Sequence, residues 1–245
     1  MSNSASLPSL LKQLRLGTMQ DQWEEISQRA EAGHWTYARF LATLCERELI
    51  SREQRRIQQN LSDAKLPIGK TLATFEFAKL TSINPAQITT FAENTEWVKQ
   101  ARNLILFGPS GVGKTHLAAA IGRRLGEQGL RALFTKTTTL VQQMQAANKE
   151  LQLAGFINKL SKYQLLILDD IGYVKKSEAE SGVLFELITD RYETGSLLIT
   201  SNQPFDQWDN IFPNNSMAVA AIDRLVHHAT IISINEPSYR KALQK

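Results

Sequence analysis

Gly108-Pro109-Ser110-Gly111-Val112-Gly113-Lys114-Thr115 is a complete G-x-x-x-x-G-K-T octet, and its neighbours give it a fold. Four apolar residues, Leu104-Ile105-Leu106-Phe107, precede it as a buried strand would. An alanine-rich stretch, residues 116–125, follows it as a helix. Strand, glycine-rich turn and helix in that order form the context in which this octet holds phosphate. Glycines at 108, 111 and 113 let the backbone curl so that successive N–H groups point inward. The next helix adds the positive end of its dipole. Lys114 then reaches the β- and γ-phosphates, and the Thr115 hydroxyl ligates Mg²⁺. Pro109, Ser110, Val112 and His116 complete the segment expected to wrap a nucleoside triphosphate.

Outward from the octet, apolar runs alternate with helical stretches. Strands are predicted at 104–107, 131–135, 165–169, 196–200 and 230–234, with helices at 138–148, 177–192 and 217–227 between them. Near-continuous apolar strands joined by helices imply a doubly wound, five-stranded parallel sheet, with its ligand at the carboxyl ends of the strands.

Leu165-Leu166-Ile167-Leu168 runs into Asp169-Asp170, the Walker B pattern. Such a strand brings Asp169 beside the phosphate loop, where it can hold Mg²⁺ directly or through water. Asp170 points elsewhere and can polarise an attacking water as general base. The next strand ends in Ser201-Asn202. Asn202 either orients that water or only caps the turn before Pro204. Arg224, after Asp223, and Arg191, after Asp190, are each either an arginine supplied across a subunit boundary or half of a surface ion pair.

The first 65 residues carry no strand signal. Leu10, Leu11, Leu14, Leu16 and Met19 suggest a short helix. A second starts near Thr36 and sets Phe40, Leu41, Leu44, Leu49, Ile57 and Leu61 on roughly one face. Arg52, Arg55 and Arg56 share another face at i, i+3 and i+4. They are candidate DNA-phosphate contacts, as are Lys175 and Lys176 after the Walker B strand; a solvated face balanced by Glu48 and Glu53 is the alternative. Pro67 and Gly69 break the pattern. The expected division is a helical domain over 1–66 for DNA or partner binding, a connecting segment over 67–100 and a P-loop domain over 101–245.

The chain has 245 residues, 28 Lys and Arg against 24 Asp and Glu, and a net charge of +4. The charge divides as +1 in residues 1–65 and +3 beyond, so any DNA site must be a local patch rather than a basic arm. The single cysteine, Cys45, excludes an internal disulfide and a multi-cysteine zinc site. His227-His228 lacks nearby partners in sequence and reads as packing rather than metal binding. Without a secretion signal or a long apolar run, the expected location is the cytoplasm, with no membrane contact.

The combined motifs resemble the IstB/DnaC branch of AAA+ ATPases, with IstB-like insertion-sequence helpers the nearest match. In the first region the resemblance rests on Leu14-Arg15-Leu16-Gly17-Thr18-Met19, on Phe40-Leu41 with Leu44, and on Glu46-Arg47-Glu48-Leu49 running into Arg52-Glu53-Gln54-Arg55-Arg56. In the second it rests on Gly113 to Ala118, Asp169-Asp170-Ile171-Gly172-Tyr173 and Thr200-Ser201-Asn202. Asp223-Arg224-Leu225-Val226-His227-His228 and Ser238-Tyr239-Arg240 are the more specific segments. The resemblance implies ATP as the nucleotide, ATP-dependent self-assembly on duplex DNA, stimulation of a cognate transposase, and Arg224 as the interface arginine. A DnaC-like helicase loader is the alternative. With residues 235–245 alone after the last strand, no helical lid is expected, nor a counterpart of the lid's arginine unless Arg240 serves. An open site compensates γ-phosphate charge poorly, so slow turnover is expected from a monomer, with neighbouring subunits completing the site.

Overall fold

A computed structural model of the protein describes residues 6–172, 177–212, 215–236 and 238. The chain divides into two compact units, residues 1–59 and 60–245.

The first unit contains α1 (Leu7–Gln13), α2 (Gly17–Ala32) and most of α3 (Tyr37–Asp63). Leu11, Met19, Ile26 and Leu44 form its buried centre, with Trp23, Trp35 and Phe40 packed around them. The single short helix expected across Leu10–Met19 is instead two helices. Arg15 turns left-handed at φ 57°, and Leu16 N–H closes α1 on Leu11 O at 2.9 Å. No side chain at the start of α2 caps it. Glu48, from α3, does so by accepting from Thr18 N at 2.8 Å and Met19 N at 3.1 Å. A carboxylate there satisfies orphan donors and meets the positive end of the helix dipole. Leu41 and Leu49, expected on the buried face of α3, are 58% and 66% exposed, whereas Glu48 is buried. The polar cap displaces the apolar stripe.

Burial alone would raise the Glu48 pKa, but Arg52 and the Met19 and Thr18 amides outweigh it, and the net direction is down. A depressed folded-state pKa gives stability that is present above the ordinary carboxylate value and lost as pH falls through the folded one. Glu48→Gln should cost on the order of 1–2 kcal/mol at neutral pH. The wild-type advantage should shrink in acid. Urea titrations at the two pH values check both statements.

The second unit is built on five parallel strands in the order β2-β3-β4-β1-β5. They are β1 (Asn103–Phe107), β2 (Ala132–Lys136), β3 (Leu165–Asp169), β4 (Ser196–Ser201) and β5 (Ala229–Ser233). β1, β3 and β4 are buried along their full length, which is why they read as unbroken apolar runs. β5 is an edge strand and keeps Ile231 42% exposed. α6 (Lys114–Glu127) and α4 (Pro85–Glu93) cover one face of the sheet. The other lies under α7 (Thr137–Lys149), α8 (Leu153–Leu160), α9 (Glu178–Arg191) and α10 (Asn215–Val226). Gly122 lets α6 press onto β3, since a Cβ there would collide with Ile167. α4, α8 and the short α5 (Glu96–Lys99) had no sequence expectation. Among the described residues, no helix is long and apolar enough to cross a membrane.

Arg191 is neither a boundary arginine nor half of a surface ion pair with Asp190. It is 2% exposed, and its guanidinium donates to Tyr163 O at 2.6 Å, Ser196 O at 2.9 Å and Gln164 O at 3.0 Å. A side chain so engaged cannot extend to another subunit. Burial lowers its pKa to about 10, partly offset by Asp190, so it stays charged at neutral pH. Arg191→Ala should destabilise by roughly 3–5 kcal/mol, because it strands several buried carbonyls at once. Chemical denaturation measures the change.

Candidate nucleotide site

The octet forms the turn between β1 and α6. Gly113 occupies the position before α6 at φ 96°, and a Cβ there would lie 2.8 Å from the Phe75 ring. Both facts demand glycine. Gly113→Ala should therefore weaken triphosphate binding about tenfold or more, by roughly 1–2 kcal/mol of backbone strain. Equilibrium dialysis reads the change.

Lys114 is 5% exposed, and its ammonium donates to Gly108 O at 2.7 Å and Pro109 O at 2.8 Å. It is thus curled under its own loop. Thr115 Oγ1 donates to Asp169 Oδ2 at 3.2 Å, so the two expected Mg²⁺ ligands lie in direct contact. Both are hard oxygen donors, the set that suits Mg²⁺. Thr200 Oγ1 donates to Asp169 Oδ1 at 2.8 Å, and Thr137 Oγ1 to Asp169 O at 3.0 Å. β4 therefore fixes the carboxylate, and α7 the main-chain carbonyl, of Asp169 at the end of β3. Asp170 turns left-handed at φ 57°, and its N–H donates to Thr200 Oγ1 at 2.9 Å.

A cleft of 690 Å³ opens over this turn. Ser110, Gly111, Gly113, Lys114, Thr115, His116, Asp169 and Asp170 line it, so the fold brings these residues of the octet and the β3 terminus to one place. Lys70, Lys136 and Thr138 line it too, and they were missed. Lys136 ends β2 in register with Asp169, which a strand alignment could have suggested. Lys70 comes from the connecting segment and gave no signal. Residues of that segment also meet His116, which bonds Thr71 O at 2.9 Å and Thr74 Oγ1 at 3.2 Å while Phe75 packs edge-on to its ring. Gly108 and Pro109 take part through their carbonyls, and Val112 is buried in the core.

Asn202 leaves β4 just beyond Ser201. Its Oδ1 is buried, with no hydrogen-bond partner among the described residues. Arg224 lies elsewhere. It donates to Ala220 O at 2.9 Å, stands 5.2 Å over the Phe185 ring, and lines a separate 760 Å³ depression with Tyr192, Ser216, Val219 and Asp223. Arg52 bonds Glu48 Oε1 at 2.8 Å and Arg15 O at 2.6 Å, Arg55 bonds Thr18 Oγ1 at 2.9 Å, and Arg56 bonds Glu53 at 2.7 Å. The Arg52 and Arg56 side chains nevertheless remain 49% and 63% exposed. Lys175, Lys176 and Arg240 lie outside the described residues.

A parallel sheet in this order, with a phosphate loop after β1 and a carboxylate ending β3, defines a P-loop nucleotide-binding protein of the AAA+ type. The chain is similar to the solved DnaC helicase loader, with a TM-score of 0.54 and 21% identity over 68% of this chain and 97% of that one, a likeness of fold. The sequence profile of the IstB-like ATP binding proteins matches residues 9–245, and the chain belongs to that family. It is 49% identical to an insertion sequence ATP-binding protein of Sinorhizobium fredii, over 98% of this chain and 80% of that relative. It is 35% identical to the IS21 ATP-binding protein of Pseudomonas aeruginosa, over 96% and 88%.

Proposed function

We propose that this protein is an ATP-hydrolysing, DNA-binding transposition helper that assembles on target duplex DNA and stimulates a partner transposase. The observation that carries the reading is the separation of two half-sites on one chain. The cleft holds Lys114, Thr115, Asp169 and Asp170, whereas Arg224 lines a different depression. Arg224 serves phosphoryl transfer only when a second copy brings its own cleft against that depression.

In this account Lys114 exchanges the Gly108 and Pro109 carbonyls for the β- and γ-phosphates, and loop N–H groups hold the remaining oxygens. Thr115 and Asp169 would hold Mg²⁺, which would supply charge neutralisation on the phosphates. Asp170 accepts the proton of the attacking water, and Asn202 turns its unpaired carbonyl toward that water. Arg224 of one copy compensates the charge that develops in the cleft of the next. Residues 1–66 contact DNA phosphates through Arg52, Arg55 and Arg56, with Lys175 and Lys176 as a second patch. Residues 67–100 connect the two and supply Lys70 to the cleft, and residues 101–245 hydrolyse. Contacts of this kind bind duplex without reading its sequence and weaken as salt rises.

Turnover per protomer should therefore rise with protein concentration, and rise further with duplex DNA. A steady-state phosphate-release assay over a dilution series tests this. A rate per protomer that is flat with dilution and indifferent to DNA would refute a site shared between copies.

A further inference from the structure

Glu193, His227 and His228 each direct one ligand atom into a common space, all within 4.8 Å of one another, on the exposed surface of the second unit. They come from two places in the chain, Glu193 from the turn after α9 and the histidines from the junction of α10 and β5. Glu193 is held left-handed at φ 59°, and Thr194 N–H and Gly195 N–H both return to Arg191 O, which sets that turn. Tyr192 OH lies 2.7 Å from His227 Nδ1, and the two rings stack with centroids 6.0 Å apart. A ring fixed through one nitrogen presents the other in a defined direction, as the outer partner of a metal-binding histidine does. The two histidine rings lie 4.1 Å apart, so both face the same side of the junction.

We propose that Glu193, His227 and His228 form a binding site for a divalent transition-metal ion of the zinc class. Two imidazoles and one carboxylate form a borderline donor set that selects Zn²⁺, Co²⁺ or Ni²⁺ over Mg²⁺, which prefers an all-oxygen shell. Three protein ligands with an open fourth position are an ordinary arrangement for such an ion. Tetrahedral binding needs donors about 3.4 Å apart, so the exposed Glu193 and His228 side chains would close the remaining distance while His227 keeps its bond to Tyr192. The ion would clamp the turn after α9 to the end of α10, one helical turn beyond Arg224. The site is distinct from the nucleotide cleft in position and in donor chemistry.

The test is a Co²⁺ titration of the full chain, free of nucleotide and in excess Mg²⁺, followed by absorbance and then by displacement with Zn²⁺. The expected result is one ion per chain with visible bands of nitrogen–oxygen ligation. Glu193→Gln and His228→Ala should each weaken binding about tenfold or more, while His34→Ala and Cys45→Ser leave it unchanged. Glu193→Gln is an exposed, isosteric change, and circular dichroism verifies that both variants are folded. Absence of binding by the wild type, wild-type affinity in both site variants, or loss of binding in Cys45→Ser would each overturn the assignment.

Discussion

Lys114→Ala should abolish ATP binding at concentrations that saturate the wild type. The ammonium sits under the loop with its donors on two backbone carbonyls, already placed for phosphate oxygens to take over. Each charge-assisted hydrogen bond to phosphate is worth about 1.5–3 kcal/mol. Losing two raises the dissociation constant roughly 10²- to 10⁴-fold. The same change leaves the Gly108 and Pro109 carbonyls to water, so a thermal melt must accompany the titration. Calorimetry with ATP and Mg²⁺ measures the affinity. A folded Lys114→Ala protein that binds ATP as the wild type does would remove the loop from the account.

Arg224→Ala should lower turnover of the assembly by ~10³-fold while leaving ATP affinity within a few-fold. The local cost is small, one bond to Ala220 O and a contact with the Phe185 face, so folding should survive. Mixing decides between a structural arginine and one used across a boundary. Arg224→Ala subunits keep an intact cleft, and Asp170→Asn subunits keep an intact arginine. Each variant alone should be inactive, and the mixture should recover turnover wherever a good arginine meets a good cleft. A mixture as inactive as its components would place Arg224 in a purely structural role.

The sheet was legible because its strands are buried on both sides. Leu104 to Phe107 and Leu165 to Leu168 leave no polar position to confuse the pattern, and β3 begins and ends where the sequence put it. β5 starts one residue earlier than expected. Ile234 is fully buried and its N–H still bonds Phe107 O at 2.8 Å, so the pairing outlasts the strand's formal end. The octet and the Asp169 carboxylate were legible because the chemistry requires a fixed local spacing. What escaped is what depends on distant segments. Glu48 caps a helix 30 residues earlier, Lys70 and Lys136 reach the cleft from other elements, and Arg191 spends its charge on carbonyls around the α8–β3 turn. Nothing near Arg191 in sequence announces a buried cation, because Asp190 beside it suggests a surface pair. His227-His228 gained Glu193 as a neighbour from 34 residues away, which spacing alone does not reveal.

On the proposed function, a triphosphate in the cleft governs assembly of copies along DNA. Sedimentation velocity of the wild-type protein with a long duplex, in ATP, a non-hydrolysable analogue and ADP, tests it most directly. Large complexes in ATP and the analogue, dissolving in ADP and never formed by Lys114→Ala, are the predicted result. Complexes of the same size in all three nucleotide states would contradict it.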